Sequence, residues 1–328
     1  MLLRIAVGWH FAAEGIYKIM STPEAKNSVL AKIFEVTEGP TFTSEDYLRN
    51  SSGPFAERFR AMVSDADSRY KLDAERVKNA WTEEMHRVGN HYGFVGEQQD
   101  LAAKALVAKE KVIDAYLTDP ETIKKIKTYF DDLSATAAVE RNRDALAYER
   151  IRATDTRRKA ETERKELVKP ILGWEKELRD GWVALSSKEQ AEREGAYVPP
   201  LDELGKVDRL TMYGTTAIGF ALMLGFLTPV AGLGGALFLA LIYFSMPPFP
   251  GLPVSPKSEG HYVYVNKNLV ELFAMLVIAS TPSGLWFGVD AFLFGWINRI
   301  GKRVEIERES SPDLSDAAVS KARRLKKR

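Results

Sequence analysis

The stretch LTMYGTTAIGFALMLGFLTPVAGLGGALFLALIYFSMPP, residues 210–248, decides the fold class of this chain. It contains two apolar runs, 210–227 and 230–246, and neither carries a charged side chain. The dipeptide Thr228-Pro229 separates them and Pro247-Pro248 ends the second, because proline is disfavoured inside a helix. Each run approaches the roughly 20 apolar residues that a helix needs to cross a bilayer. The stretch therefore predicts an antiparallel transmembrane hairpin.

Two further apolar runs, 5–20 and 269–287, bring the predicted membrane spans to four. The run at 5–20 also fits a cleaved signal peptide or an amphipathic helix of a soluble protein. Charged and polar side chains interrupt its apolar core, and no small-x-small cleavage site follows it. An uncleaved spanning helix is therefore favoured. Residues 288–300 are shorter and contain tryptophan, which is typical of an interfacial or re-entrant helix.

A highly charged segment, 21–206, separates the first apolar run from the others. It contains 31 lysines and arginines and 35 acidic residues. The mean hydropathy of the whole chain, −0.22, is therefore an average over a highly charged segment and several apolar runs. The stretches 99–116, 121–166 and 172–194 are rich in strong helix formers. Helices are predicted to end near the prolines of this segment, which are Pro120, Pro170, Pro199 and Pro200. The segment predicts a helical hairpin or small bundle outside the membrane.

Together these patterns predict an all-α protein: an integral membrane four-helix bundle with a large extracytoplasmic helical domain inserted between the first and second transmembrane helices. The predicted divisions are 1–20 for the first span, 21–206 for the inserted domain, 207–298 for the other spans and a short interfacial helix, and 299–328 for a basic tail. The tail contains ten lysines and arginines against five acids, which favours the cytoplasmic side. Four spans then place the N-terminus in the cytoplasm as well.

Composition and motifs exclude several classes of site. A net charge of +1 argues against a nucleic-acid-binding protein, and the absence of cysteine removes disulfides, thiolate nucleophiles and cysteine-ligated metals. Glu83 and His86 match half of a di-iron carboxylate motif, but the second half is missing, so no metal site is predicted. The glycines between Gly232 and Gly235 lie inside an apolar run and indicate close helix packing rather than a phosphate loop. Redox chemistry would therefore require a bound cofactor or a partner.

The first apolar run carries the sharpest functional signal. His10, Glu14 and Lys18 are spaced four residues apart, so they lie on one helix face. Ionisable groups inside a membrane are costly and need partners, which the start of the last span offers. The predicted polar pocket consists of His10, Glu14, Tyr17, Lys18, Lys267, Asn268 and Glu271. Two interpretations remain open: a pocket that binds a quinone-like headgroup or passes a proton, and an ion-pair network that only fixes helix packing.

Several fragments of the membrane segments resemble a known family. They are Arg4-Ile-Ala-Val-Gly8-Trp-His-Phe11, Gly15-Ile-Tyr-Lys18, Leu224-Gly-Phe-Leu-Thr-Pro229, Lys267-Asn268-Leu-Val-Glu271-Leu and Gly284-Leu-Trp-Phe-Gly-Val-Asp290-Ala. In this order and spacing they resemble the DoxX/DoxD family of small bacterial four-helix membrane proteins. The resemblance covers residues 1–20 and 207–298, and the insertion at 21–206 departs from the compact family pattern.

The family includes a subunit of a thiosulfate:quinone oxidoreductase, so the resemblance implies a bacterial inner-membrane protein, quinone-linked redox chemistry and a quinone as cofactor. The leading hypothesis is a DoxX-like membrane subunit. One alternative is a non-enzymatic anchor or scaffold that presents a helical partner-binding domain, and a less favoured one is a small transporter. Expected partners are membrane lipids, a protein bound through residues 21–206 and a second copy of the chain.

Overall fold

The computed structural model describes residues 1–36, 40–63, 70–142, 144–252, 254, 260–293 and 295. Over these ranges the chain is all-α, as predicted, with no strand and one isolated antiparallel bridge between Tyr262 and Val265. The helices are α1 Leu2–Met20, α2 Val29–Ile33, α3 Glu45–Arg49, α4 Ala56–Arg60, α5 Ala74–Tyr92, α6 Glu97–Thr118, α7 Pro120–Arg141, α8 Ala147–Ala184, α9 Lys188–Glu194, α10 Glu203–Leu224, α11 Thr228–Ser245, α12 Lys267–Ser280 and α13 Ser283–Trp286. The basic tail lies outside the described residues.

The helices belong to two compact units. The described residues within 1–38, 212–238 and 271–328 form the first, called the bundle. Those within 39–211 and 239–270 form the second, called the helical domain. The division by packing thus runs through α10, α11 and α12, whereas the sequence boundaries at 21–206 and 207–298 were drawn by predicted membrane exposure and stay a prediction.

In the bundle, α1 and α10 touch through small residues. A Cβ atom added to Gly219 would lie 2.2 Å from the backbone nitrogen of Ala12, and one added to Gly15 would lie 2.6 Å from the backbone nitrogen of Thr216. The two helix backbones are therefore in direct contact. Close approach through glycine is a common way for helices to associate without large apolar side chains between them.

The helices α11 and α12 approach each other in the same way. A Cβ atom added to Gly232 would lie 2.9 Å from the side chain of Ala279, and one added to Gly235 would lie 2.6 Å from the Cε atom of Met275. Gly232 and Gly235 therefore serve helix packing, which agrees with their interpretation from the sequence.

The predicted span at 269–287 is not one continuous helix, because it is divided between α12 and α13, and its crossing of a membrane stays a prediction. Pro282 lacks a backbone N–H, disfavours helical geometry at Thr281 and becomes the N-cap of α13. The 14 residues of α12 rise about 21 Å, which is less than the roughly 30 Å of a hydrocarbon core. Among the described residues, one helix, Thr228–Ser245, is long and apolar enough to cross a membrane by length and composition.

The helical domain is built around α5, α6, α7 and α8. Trp81, Ile113 and Trp182 are fully buried in its core. Asp119 caps α7 and Pro120 occupies the first turn of that helix, where a missing N–H costs nothing, so the predicted boundary at Pro120 is confirmed.

The stretch 121–166, rich in helix formers, is divided between α7, which ends at Arg141, and α8, which begins at Ala147. The helix end predicted near Pro170 is wrong. Pro170 lies inside α8, which continues for 38 residues. Val168 and Ile171 are buried on either side of this proline, so packing outweighs the roughly 3 kcal/mol that proline costs in a helix interior.

Candidate functional site

The polar face predicted on the first helix lies in α1. The Nζ atom of Lys18 donates to Glu14 Oε2 at 2.5 Å and to the Glu14 carbonyl oxygen at 3.2 Å. The spacing of four residues brings the two side chains to adjacent turns of the same face. The structure therefore pairs Lys18 with Glu14 within α1.

The second contact of this face joins α1 to α12. The Nε2 atom of His10 lies 3.7 Å from Glu271 Oε2, and the side chains are 38% and 13% exposed. This distance suits an ion pair when the imidazole is protonated but exceeds a direct hydrogen bond. An acid and an imidazole thus face each other between two helices of the bundle, with the carboxylate the more deeply buried.

The other predicted residues are less closely associated with this pair. Tyr17 is half exposed. Lys267 and Asn268 open α12 and belong to the helical domain, and Asn268 is partly buried whereas Lys267 is exposed. The bundle therefore contains five of the seven predicted residues, and their role in binding a ligand stays a prediction.

Sequence reasoning missed a second polar cluster in the bundle. Arg4 is buried and donates from Nη1 to the Ser283 carbonyl oxygen at 2.7 Å and from Nη2 to that of Phe287 at 2.5 Å. Asp290 is also buried and accepts from the backbone nitrogens of Leu227 at 2.6 Å and Thr228 at 2.9 Å. The carboxylate thereby neutralises the positive N-terminal end of α11.

A signal for this cluster was present in the sequence. Arg4, Thr228 and Asp290 each belong to one of the fragments quoted above for the family resemblance. Thr228 and Asp290 are 62 residues apart, and Arg4 is 279 residues from Ser283, so no local spacing rule relates these contacts. The structure brings these three fragments together at one end of the bundle.

The helical domain contains a buried network of ion pairs that sequence reasoning also missed. Residues 44–60, called the strap, contain α3 and α4 and pack on α7 and α8. The guanidinium of Arg60 binds Glu140 with two hydrogen bonds, from Nη1 at 2.6 Å and from Nη2 at 2.8 Å. Glu45 Oε1 accepts from Arg49 Nε at 2.7 Å and from Arg164 Nη1 at 3.4 Å. The partners lie up to 119 residues apart in the chain.

Glu161 lies at the centre of this network. Its Oε2 atom is 3.8 Å from Arg49 Nη1, and its Oε1 atom accepts from the Tyr129 hydroxyl at 3.3 Å. Burial raises the pKa of Glu161, although Arg49, Arg164 and Arg157 oppose this shift. Burial also raises the pKa of the Tyr129 hydroxyl, which therefore stays protonated and donates to the carboxylate. The network joins segments of one domain, so we interpret it as structural.

No group of three or more histidine, cysteine or acidic side chains suited to a metal ion occurs among the described residues. Comparisons of the chain with protein-family models, curated proteins and solved structures found no match. The functional argument therefore depends on the residues of the bundle and on their surroundings.

Proposed function

We propose that the chain is a DoxX-like protein of the bacterial inner membrane, whose four-helix bundle binds a quinone-like headgroup beside His10 and Glu271 as a subunit of a quinone-linked redox system. The observation that carries the proposal is the distribution of polarity in the bundle. Large apolar side chains face outward, whereas the imidazole–carboxylate pair lies between two helices.

The outward apolar side chains favour lipid as the surroundings of the bundle. A surface helix of a soluble protein carries charged and polar residues on its outer face. Here the outer faces of α1, α10, α11 and α12 carry exposed large apolar and aromatic side chains, namely Trp9, Tyr213, Phe220, Leu233, Leu237 and Phe273. An exposed apolar surface of this extent on a soluble protein would promote aggregation.

The polar pair supplies the chemistry that a quinone headgroup needs. A protonated His10 donates a hydrogen bond to a quinone carbonyl, and Glu271 holds or accepts a proton. Reduction of a quinone by two electrons consumes two protons, and the electrons would come from a protein partner bound through the inserted domain. An ionisable group at the centre of a membrane helix costs about 2.5–3.5 kcal/mol on insertion scales, so the presence of His10 and Glu271 between α1 and α12 favours a function.

Binding of a short-chain quinone to the purified protein tests this proposal. Trp9 adjoins His10 in the sequence, so quenching of tryptophan fluorescence provides the readout. We expect Glu271→Gln and His10→Gln each to weaken binding about tenfold, which corresponds to about 1.4 kcal/mol. Glu57→Gln changes an exposed carboxylate of the helical domain and should leave binding unchanged. Equal affinity in all four proteins would contradict the site.

A scaffold function is the second candidate, and a stripe on α6 favours it. Ala103, Val107 and Ala108 form an exposed, weakly apolar face between Lys104 and Lys111. Asp100 also lines this face, and an apolar stripe with charged margins suits the docking of a partner helix with complementary charges.

Site-specific crosslinking in native membranes tests the scaffold function. A photo-reactive residue placed at Val107 should capture one discrete partner, whereas the same residue at the exposed Lys127 of α7 should not. Identical products from the two sites would remove this candidate.

A further inference from the structure

The turn formed by residues 262–265 exposes large side chains immediately before α12. Tyr262, Val263 and Tyr264 are 74%, 65% and 54% exposed. The backbone nitrogen of Tyr262 donates to the Val265 carbonyl oxygen at 2.9 Å, and that of Val265 donates back to Tyr262 at 3.0 Å. The two hydrogen bonds close a two-residue loop of the kind found in tight hairpins.

Both central residues of the loop have backbone conformations that disfavour side chains. The φ angle is 27° at Val263 and 70° at Tyr264. Positive φ at both central positions normally selects Asn-Gly or Asp-Gly, because a Cβ atom is strained there. A β-branched residue such as valine is tolerated least. The sequence therefore places two bulky side chains where a stable turn would have small or flexible ones.

Contacts from outside the loop hold this strained conformation. The Tyr243 hydroxyl donates to the Tyr264 carbonyl oxygen at 2.7 Å, and the Tyr264 backbone nitrogen donates to the Pro248 carbonyl oxygen at 3.0 Å. The turn is thus fixed by the last turn of α11 and by the segment that follows it. The Tyr264 ring lies 5.6 Å from that of Phe249, but all three side chains remain more than half exposed. Burial within the chain therefore offsets little of the strain, which points to a contact outside the chain.

We propose that the turn is an interfacial anchor that inserts Tyr262, Val263 and Tyr264 into the headgroup region of the outer leaflet. This inference rests on the proposed membrane function of the bundle. Residues 260–266, GHYVYVN, contain no lysine, arginine or acidic residue, and tyrosine is enriched where lipid meets water. Only Asn266 separates the turn from α12, so a membrane-embedded α12 holds the turn at the boundary.

The absence of cysteine allows a direct measurement of depth. Val263→Cys in the full-length protein provides the single thiol for a nitroxide label, and the protein is reconstituted in phosphatidylcholine–phosphatidylglycerol vesicles. Accessibility to oxygen and to a water-soluble nickel chelate then reports the depth of the label. Leu233→Cys on α11 and Val198→Cys in the helical domain, both exposed in the protein, are the reference positions for lipid and water. Tyr262→Cys repeats the measurement outside the strained positions.

The label at position 263 should lie at the level of the lipid phosphates, with an oxygen-to-nickel accessibility ratio between the two references. A ratio equal to that at position 198, together with a lipid-exposed label at 233, would overturn the anchor and leave the membrane function intact. Water exposure at both 233 and 263 would overturn the membrane function and the anchor with it.

Discussion

Single glycines determine how closely the bundle helices pack, and Gly219 is the most demanding of them. The Cβ position at this residue falls on backbone atoms of Ala12, and backbone cannot rotate away as a flexible side chain can. Gly234 differs, because its nearest neighbour would be the Ile218 Cδ1 atom at 3.7 Å, an ordinary contact distance. Two helical glycines therefore have opposite tolerances for the same substitution.

We expect Gly219→Ala to lower the stability of the protein by about 1–3 kcal/mol, since α1 and α10 must separate to admit the methyl group. Gly234→Ala is the matched control, and it should be neutral or stabilising by up to about 1 kcal/mol because alanine favours helix. Thermal unfolding followed by circular dichroism in one detergent compares the two variants. Equal transition temperatures would contradict the close contact of α1 with α10.

Asp119 provides a test of pH dependence at one helix cap. Its carboxylate accepts from the backbone nitrogen of Thr122 at 2.9 Å, and hydrogen bonds to this residue hold the Asp119 pKa below the ordinary value of 3.8. A carboxyl group with a lowered pKa in the folded state stabilises the fold above its unfolded pKa and loses this contribution as pH falls through the folded pKa.

Asp119→Ala should therefore destabilise the helical domain at neutral pH, and the difference from the unaltered protein should shrink as the pH falls below 3.8. Thermal unfolding at a series of pH values measures this difference. Asp131→Ala removes an exposed acid in the interior of α7 and should show no such trend. A difference for Asp119→Ala that stays constant at every pH would contradict the capping role.

Among the elements, the strap depends on charge for its position. Strap acids bind bases of α8, as in Glu45 with Arg164, and strap bases bind acids of α7 and α8, as in Arg60 with Glu140. The strap and the helices that it contacts therefore each carry both acids and bases. If the strap were shifted along α7 and α8, like charges would lie opposite each other. A buried ion pair contributes little net stability compared with apolar packing, so we infer that the network serves specificity of position.

A double-mutant cycle tests this role of the strap. Arg60→Ala should cost about 2–4 kcal/mol, because it removes two hydrogen bonds from the largely buried Glu140 and one from the Ser51 carbonyl oxygen. Arg157 still lies 3.6 Å from Glu140, and the Arg60–Glu140 coupling should be large. The control is Arg141 with Glu57, a pair that also joins the strap to α7 but is 75% and 74% exposed, so its coupling should stay below about 1 kcal/mol. Chemical denaturation gives both values, and equal couplings would refute the argument from burial.

Over the whole molecule, composition and proline positions predicted where helices occur better than they predicted where the helices end or which helices touch. The two apolar runs at 210–227 and 230–246 were confirmed as the helices α10 and α11, since composition and Pro229 act locally, whereas their arrangement as a transmembrane hairpin stays a prediction. Pro282 and Pro170 had opposite outcomes: the first divides a predicted helix, whereas the second lies inside one because buried neighbours hold α8 together. His10 and Glu271 were predicted to belong to one pocket. Their contact at 3.7 Å depends on how α1 packs on α12, and the spacing of residues along the sequence does not predict this packing.

For the whole chain, the membrane topology is the property that best distinguishes a four-span protein from a single-span protein. Four spans place the N-terminus and the basic tail on one side and the inserted segment on the other, whereas a single span at Thr228–Ser245 places the N-terminus and the inserted segment together. Single thiols introduced by Leu2→Cys, Val198→Cys and Ser315→Cys distinguish these arrangements, because the chain has no cysteine of its own.

With four spans and a cytoplasmic tail, an impermeant maleimide added to intact cells should label only the thiol at 198. The thiols at 2 and 315 should react only after permeabilisation, which also serves as the control for their reactivity. Labelling of both 2 and 198 in intact cells would indicate a single span, and α1 would then lie outside the membrane. In that case His10 and Glu271 could not meet within lipid, so the quinone site would lose the low-dielectric surroundings that give the pair its proposed chemistry.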